Sequence, residues 1–393
     1  MKVLISSLLC LMSFFSLGQA ALVEARQLIA KGHYHSAYNL LDQADPNNDK
    51  PDVLALKVEI ALDYHLATKK HREFAFGNIE PSENLMAKRE IAKGAHSFSP
   101  LKVDSLIKRQ LAKKPDHFRL HYMLGRYYQE LYMHYGDSAD IPGGMLLKFM
   151  EMHFRIAFNN GLKESLAAYG IGFAKLSRED YSGAIPYLKE SCNLDSNYVP
   201  AHYNLAYALM QLQRKNEAIF WAKKAFQLYE DSLFKADAAR MIALSYKELD
   251  SLEPALLYYR LSDSLAPNNY YSLKSLLQLE ANLDSTAFVD TRLRFFQLGT
   301  DKAPIYQDLL LLHRAYGWDE SLLLFFQEQL KQTDWDLSSR AHLHLYSAIL
   351  EKDLGKEELW PKELSSAKKA FKALYPADHK VFVFIKSYFK ASP

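Results

Sequence analysis

Apolar residues along this chain recur three and four positions apart, the spacing that gathers them on one face of a helix. Tyr181, Ala184, Leu188 and Ser191 make one such line. Leu205, Ala206 and Leu209, followed by Ala218, Ala222 and Ala225, make two more. Ile242, Ala243 and Tyr246, followed by Ala255, Tyr259 and Ser262, continue the pattern up to Pro267. The same period predicts helices over Asp52–Leu66, Leu101–Lys113, His117–Tyr135 and Met145–Asn159. Past Asn269 it predicts Tyr270–Leu283, Ser285–Leu298, Pro304–Tyr316, Glu320–Gln332, Leu337–Leu354 and Lys362–Leu374. A final helix, Lys380–Lys390, would cap the array with Val381, Phe384, Ile385, Tyr388 and Phe389; Phe382 and Val383 fall off that face and leave a short strand open. Turn residues interrupt the period at Asp45-Pro46-Asn47-Asn48, from Phe76 to Ser82, and from Asp137 to Gly144.

Within this pattern three columns of small residues repeat together. Gly172, Ala184 and Ser191 return 34 residues later as Ala206, Ala218 and Ala225, and 37 residues after that as Ala243, Ala255 and Ser262. Antiparallel helices approach closely only where side chains are small, so each column marks a helix crossing. Because all three columns shift together, the three extra residues belong to one place, the turn around Tyr229–Ser232. A longer turn costs little there. Ala25, Tyr34, Ala37, Leu41 and Ala44 reproduce the same spacings near the N-terminus.

A 34-residue helix-turn-helix unit with small residues at these positions resembles the tetratricopeptide repeat family. The resemblance is carried by residues 164–269 and is weaker elsewhere; Lys175 stands where the family has an aromatic residue, and Ala206 and Ala243 replace its glycine. It implies an all-α, right-handed superhelical solenoid of antiparallel helix pairs. Degenerate repeats would occupy 21–160 and 270–393 around a core of 161–269. It also implies a concave groove that receives a peptide or a partner segment. The groove positions carry over to Tyr169 and Phe173, then Tyr203, Tyr207 and Met210, then Arg240, Leu244 and Lys247. This makes an aromatic wall grading into a basic patch, suited to a peptide with apolar side chains and an acidic group. The competing expectation is that these aromatics pack against neighbouring helices. One family subtype clamps a terminal carboxylate; here Asn204 matches one of its positions, but Tyr169, Phe173, Asp237 and Met241 occupy the others, which argues against that clamp.

The first twenty residues change the picture. Lys2, the apolar Val3–Leu17 and the small-x-small run Gly18-Gln19-Ala20 read as a secretory signal, with a mature chain from Ala21 that carries no membrane span. Cys10 lies inside the apolar stretch, which disfavours lipidation. The mature chain then has one cysteine, Cys192, and no intrachain disulfide. Burial is the expected state of that thiol. A periplasmic or extracellular protein, bacterial in type, is expected.

Composition adds two bounds. A net charge of +2 argues against a nucleic-acid partner, whose domain would be clearly basic. The densest basic run, Lys69-Lys70-His71-Arg72, reads as a solvated helix end. The 25 tyrosines and 22 phenylalanines suit wide helix seams or an aromatic binding face.

Candidate chemistry is sparse. His33/His35 and His342/His344 are two apart and diverge on a helix. His117 and His121 share a face without a zinc motif. Five Ser-x-x-Lys matches, at Ser99, Ser105, Ser232, Ser365 and Ser387, lack companion motifs. No metal, cofactor or enzymatic activity is expected. The leading expectation is a non-enzymatic interaction scaffold or adaptor of the cell envelope, acting on a protein or peptide partner. The alternatives are a hydrolase on a helical scaffold, with a pocket near Asp137–Gly144, or a small-ligand or glycan binder that uses the groove aromatics.

Overall fold

The structure, a computed structural model, describes residues 18–67, 74–76, 100–135, 141–332 and 334–390. Nineteen helices lie among the described residues, packed as pairs in chain order. Two compact units result: one runs to Leu228 and the other begins at Tyr229. The division falls at the turn with the three extra residues, inside the stretch that carries the repeat signature.

The N-terminal unit holds the helix over residues 18–30, then Tyr34–Ala44, Pro51–Tyr64, Val103–Lys113, Phe118–Tyr135, Gly143–Asn159, Ser165–Leu176, Tyr181–Leu194, Val199–Gln211 and Lys215–Leu228. Among the described residues, one departure from an all-helical chain is present. The expected Asp52–Leu66 helix stops at Tyr64, and His65–Ala67, Phe74–Phe76 and Pro100–Leu101 form a three-stranded antiparallel sheet. The aromatics of the middle strand favour pleated backbone, and Pro100, which has no N–H to offer, sits on an edge strand. Phe76 is therefore strand, while residues 77–82 of the expected loop lie outside the described residues, as do residues 136–140 and the Lys69–Arg72 run. The helix after the Asp137–Gly144 turn begins at Gly143, two residues earlier than the period alone implies.

The columns of small residues do what close approach requires. All nine members from Gly172 to Ser262 are buried. A Cβ on Gly172 would lie 2.8 Å from Leu188 of the paired helix. A fourth periodic feature was not legible because it lies in the backbone. Glu179, Gln213 and Asp250 adopt positive φ (63°, 59° and 56°) in the turn inside each pair, spaced by the same 34 and 37 residues. Side chains seldom sit there unless the surrounding packing demands it.

Lys57 shows how the N-terminal helices are tied together. It is fully buried, and its ammonium donates to Asp42 Oδ1 (2.8 Å), the Asp45 carbonyl (2.7 Å) and Asn48 Oδ1 (2.9 Å). Three acceptors satisfy its three N–H groups, so the charge is tolerated where an unpaired one would not be.

The C-terminal unit holds the pairs Ser232–Glu248 with Leu252–Leu265, Tyr270–Leu283 with Ser285–Gln297, Ala303–Ala315 with Asp319–Lys331, and Leu337–Asp353 with Trp360–Leu374. Asp231, Asn269, Asp284 and Asp336 cap helix starts by accepting from backbone N–H groups two or three residues on. Lys380–Lys390 is a helix that covers the last pair with Val381, Ile385, Tyr388 and Phe389, as expected, and only Phe384 of that face is not part of the core contact. Ile385 is buried and Phe382 packs on the core, whereas Phe384 is 38% exposed. Phe382 and Val383 are helical, so the short strand left open there does not form.

Cys192 is buried, and burial pushes its thiol up to about 12. Since the thiolate is the reactive form, a disulfide reagent at pH 8 should leave Cys192 unmodified in the folded protein and label it within minutes in 6 M guanidinium. Equal labelling rates in the two states would contradict its burial.

Candidate functional site

Five of the eight candidate groove residues fall in the N-terminal unit, and most take part in packing. Tyr169 is buried and stacks on Phe173 (5.7 Å between centroids). Phe173 meets Tyr132 edge-on, and Tyr169 meets Tyr198 edge-on. Asn204 Nδ2 donates to Tyr169 Oη at 3.0 Å, so the one residue matching the carboxylate clamp is engaged inside the fold. Tyr203, Tyr207 and Met210 are half-buried; Tyr207 lies edge-on to Tyr181, and Met210 packs against the core of this unit. For Tyr169 and Phe173, seam packing describes the environment better than an open wall. A smaller cavity of about 250 Å³ lies elsewhere in this unit, between Leu62, Arg126, Met133 and Leu166.

The histidine candidates also resolve into packing. His121 and His153 face each other, Nδ1 to Nδ1, at 2.8 Å. The Pro115 carbonyl only accepts, so His121 donates to it from Nε2 (2.7 Å), and its Nδ1 accepts from His153. His344 bonds Glu363, and His342 bonds the Ser338 carbonyl. Among the described residues no group of three His, Cys, Asp or Glu side chains could hold a metal ion.

Arg240 and Lys247, from the C-terminal unit, diverge in role. Arg240 is paired with Asp237 and lies over the Tyr271 ring. Lys247 lines a trough of about 620 Å³ built chiefly from the first helices of three consecutive pairs, with Leu252 and Phe295 added from second helices. Leu252, Leu277, Leu279, Phe295 and Leu312 supply apolar surface, and Leu311, 67% exposed, stands at the opening. Lys274, Gln278 and Asn282, four residues apart, run along one wall. Lys274 Nζ is neutralised by Asp308 at 2.6 Å, and Tyr270 donates to the same carboxylate. Asn282 Nδ2 donates to Tyr316 Oη at 2.6 Å.

Lys247 is different. Its ammonium donates to the neutral Gln278 Oε1, and no described carboxylate pairs with it. Burial, unopposed by any partner charge, depresses its pKa. The trough therefore combines an apolar surface with one ammonium that lacks a counter-charge, and an incoming carboxylate would supply it.

The missed trough residues had a sequence signal. Lys274, Gln278 and Asn282 form a polar line at i, i+4 and i+8 along a helix otherwise filled by Leu273, Leu276, Leu277 and Leu279. The line sits beyond Asn269, where the columns of small residues fade and no alignment carries groove positions forward.

Among known families, residues 199–232 match the tetratricopeptide repeat model, so the chain carries a tetratricopeptide repeat made by the Val199–Gln211 and Lys215–Leu228 helices. No curated protein sequence matches the chain. Among solved structures, the tetratricopeptide repeat protein YrrB, described as having an unusual peptide-binding site, is 18% identical over 43% of this chain and 79% of its own, with a TM-score of 0.37. PilF of Pseudomonas aeruginosa is 18% identical over 53% of this chain and 87% of its own (TM-score 0.41). MamA of Desulfovibrio magneticus RS-1 is 13% identical over 45% and 92% (TM-score 0.38). Nothing about this chain's function follows from likenesses at those scores.

Proposed function

We propose that this protein is a non-enzymatic interaction scaffold that seats a peptide or partner segment in the trough of its C-terminal unit. The observation that carries the reading is Lys247, a partly desolvated ammonium with no counter-charge beside an open leucine-lined surface. A segment with an apolar side chain on Leu277 and Leu312 and a carboxylate at Lys247 satisfies both features. The tetratricopeptide repeat at 199–232 supports a protein or peptide as the partner. The basic and apolar start of the chain supports export to the cell envelope, and no helix of the described residues is long and apolar enough to cross a membrane.

The test is retention of copurifying protein from the native envelope by the full chain and by two variants. Lys247→Gln is expected to weaken capture at least tenfold, with helical content unchanged, since a lost charge-assisted bond is worth about 1.5–3 kcal/mol. Tyr203→Ala/Tyr207→Ala is the comparison. Loss of capture there, with Lys247→Gln unaffected, moves the docking face to the N-terminal unit and overturns the trough assignment. Mass spectrometry of the purified protein should show a chain starting at Ala21; an intact Met1 would contradict export by cleavage.

A further inference from the structure

A second unbalanced cation lies on the other helices of the C-terminal unit. Arg292 projects from Ser285–Gln297 toward Asp319–Lys331, the second helices of their pairs. Its guanidinium carbon sits 4.4 Å from the centre of the Phe325 ring and 5.7 Å from that of Phe288. Its hydrogen bonds are poor. Nη1 has two long contacts at 3.5 Å, to His313 Nε2 and Ser321 Oγ, while Nε is buried without a partner. The acidic groups nearby in sequence face other cations. Asp290 acts on Arg294, Asp319 bonds Arg314, Glu320 bonds Lys356, and Glu328 bonds Lys331. Burial alone acts on Arg292, and it works against the charge.

Exposed aliphatic side chains share the helix faces beside this group. Val289, one turn before Arg292, is 56% exposed, and Leu324, one turn after Ser321, is 62% exposed. Ring faces beneath the guanidinium offset part of the cost of removing it from water, and they hold its plane for an acceptor. An arginine with poorly satisfied donors beside exposed aliphatics is the composition of an interface centre.

We infer that Arg292, with Ser321, Val289 and Leu324 beside it, is a second docking surface, separate from the trough. Its occupant is a protein segment that presents an aspartate or glutamate between apolar side chains. The carboxylate accepts from the guanidinium and from the Ser321 hydroxyl, and the flanking side chains cover Val289 and Leu324. Charge decides between this occupant and a wholly apolar one, since an apolar segment would seal the cation away from water without a partner.

The experiment is selection of displayed random dodecapeptides on the immobilised full chain. Binding of the selected peptides is then measured to the wild type, Arg292→Gln, Leu324→Asp and Lys247→Gln. The expected result is a peptide class with an acidic residue flanked by apolar ones. Its affinity should fall at least tenfold with Arg292→Gln and with Leu324→Asp, and stay within twofold with Lys247→Gln. Leu324 is exposed, so its replacement tests the surface even if Arg292→Gln perturbs packing; the added carboxylate neutralises Arg292 from within the chain. Failure to recover such a class overturns the inference, as does a class indifferent to both substitutions. Peptides sensitive only to Lys247→Gln would support the trough and refute this surface, so the two assignments fail separately.

Discussion

Gly170→Ala is expected to destabilise the N-terminal unit by about 2 kcal/mol, although alanine is the better helix former. The added Cβ would lie 2.3 Å from Cε2 and 2.4 Å from Cδ2 of Phe154. The ring has no room to retreat. It is fully buried, and Gly125 closes its other edge, where a Cβ would lie 2.5 Å away. Overpacking of this kind costs up to about 3 kcal/mol, against a propensity gain of about 1 kcal/mol for replacing glycine in a helix. A melting temperature lower by several degrees should report it. Phe154→Leu removes the obstacle, so the double variant should be more stable than the sum of the singles by at least about 1 kcal/mol. Strict additivity would show that ring and glycine do not oppose one another.

Acidification is expected to have a comparable effect through two histidines, one in each unit. His153 is depressed to about 4, first by burial and then by His121 and Lys108. His313 is depressed to about 4, chiefly by burial, with Arg292 adding to it. Both fold as neutral imidazoles, whereas the unfolded chain takes up protons near the ordinary histidine value of about 6.5. The unfolded state therefore binds more protons between these values. The stabilising contribution is complete above pH 6.5 and is lost as pH falls toward 4, by at most about 3 kcal/mol for each group. Burial raises the carboxyls of Glu59 and Glu351 and opposes this slope, so variants carry the test. Denaturant midpoints at pH 7 and pH 5 should converge for His153→Gln and for His313→Asn relative to the wild type. A pH dependence unchanged in both variants would sink the assignment.

The sequence alone determined the helices, their pairing and the helix crossings. These features are local and periodic: a 3.6-residue repeat selects one face, and small side chains recur wherever two helices must approach. The columns at Gly172, Ala206 and Ala243 mark that constraint, and Lys247 was legible because it falls on the same register. Tertiary structure decided what local periodicity does not encode. Tyr169 and Phe173 lie on a groove-facing line, yet whether that line meets solvent depends on Tyr132, Tyr198 and Asn204, which come from neighbouring helices. The Phe154 ring needs two glycines 45 residues apart in the chain, Gly125 and Gly170, to face it at once. The charge state of a surface is non-local for the same reason. Lys247, Lys274 and Arg292 are equivalent as letters, and only the fold gives Asp308 to Lys274 and leaves the other two without a counter-charge.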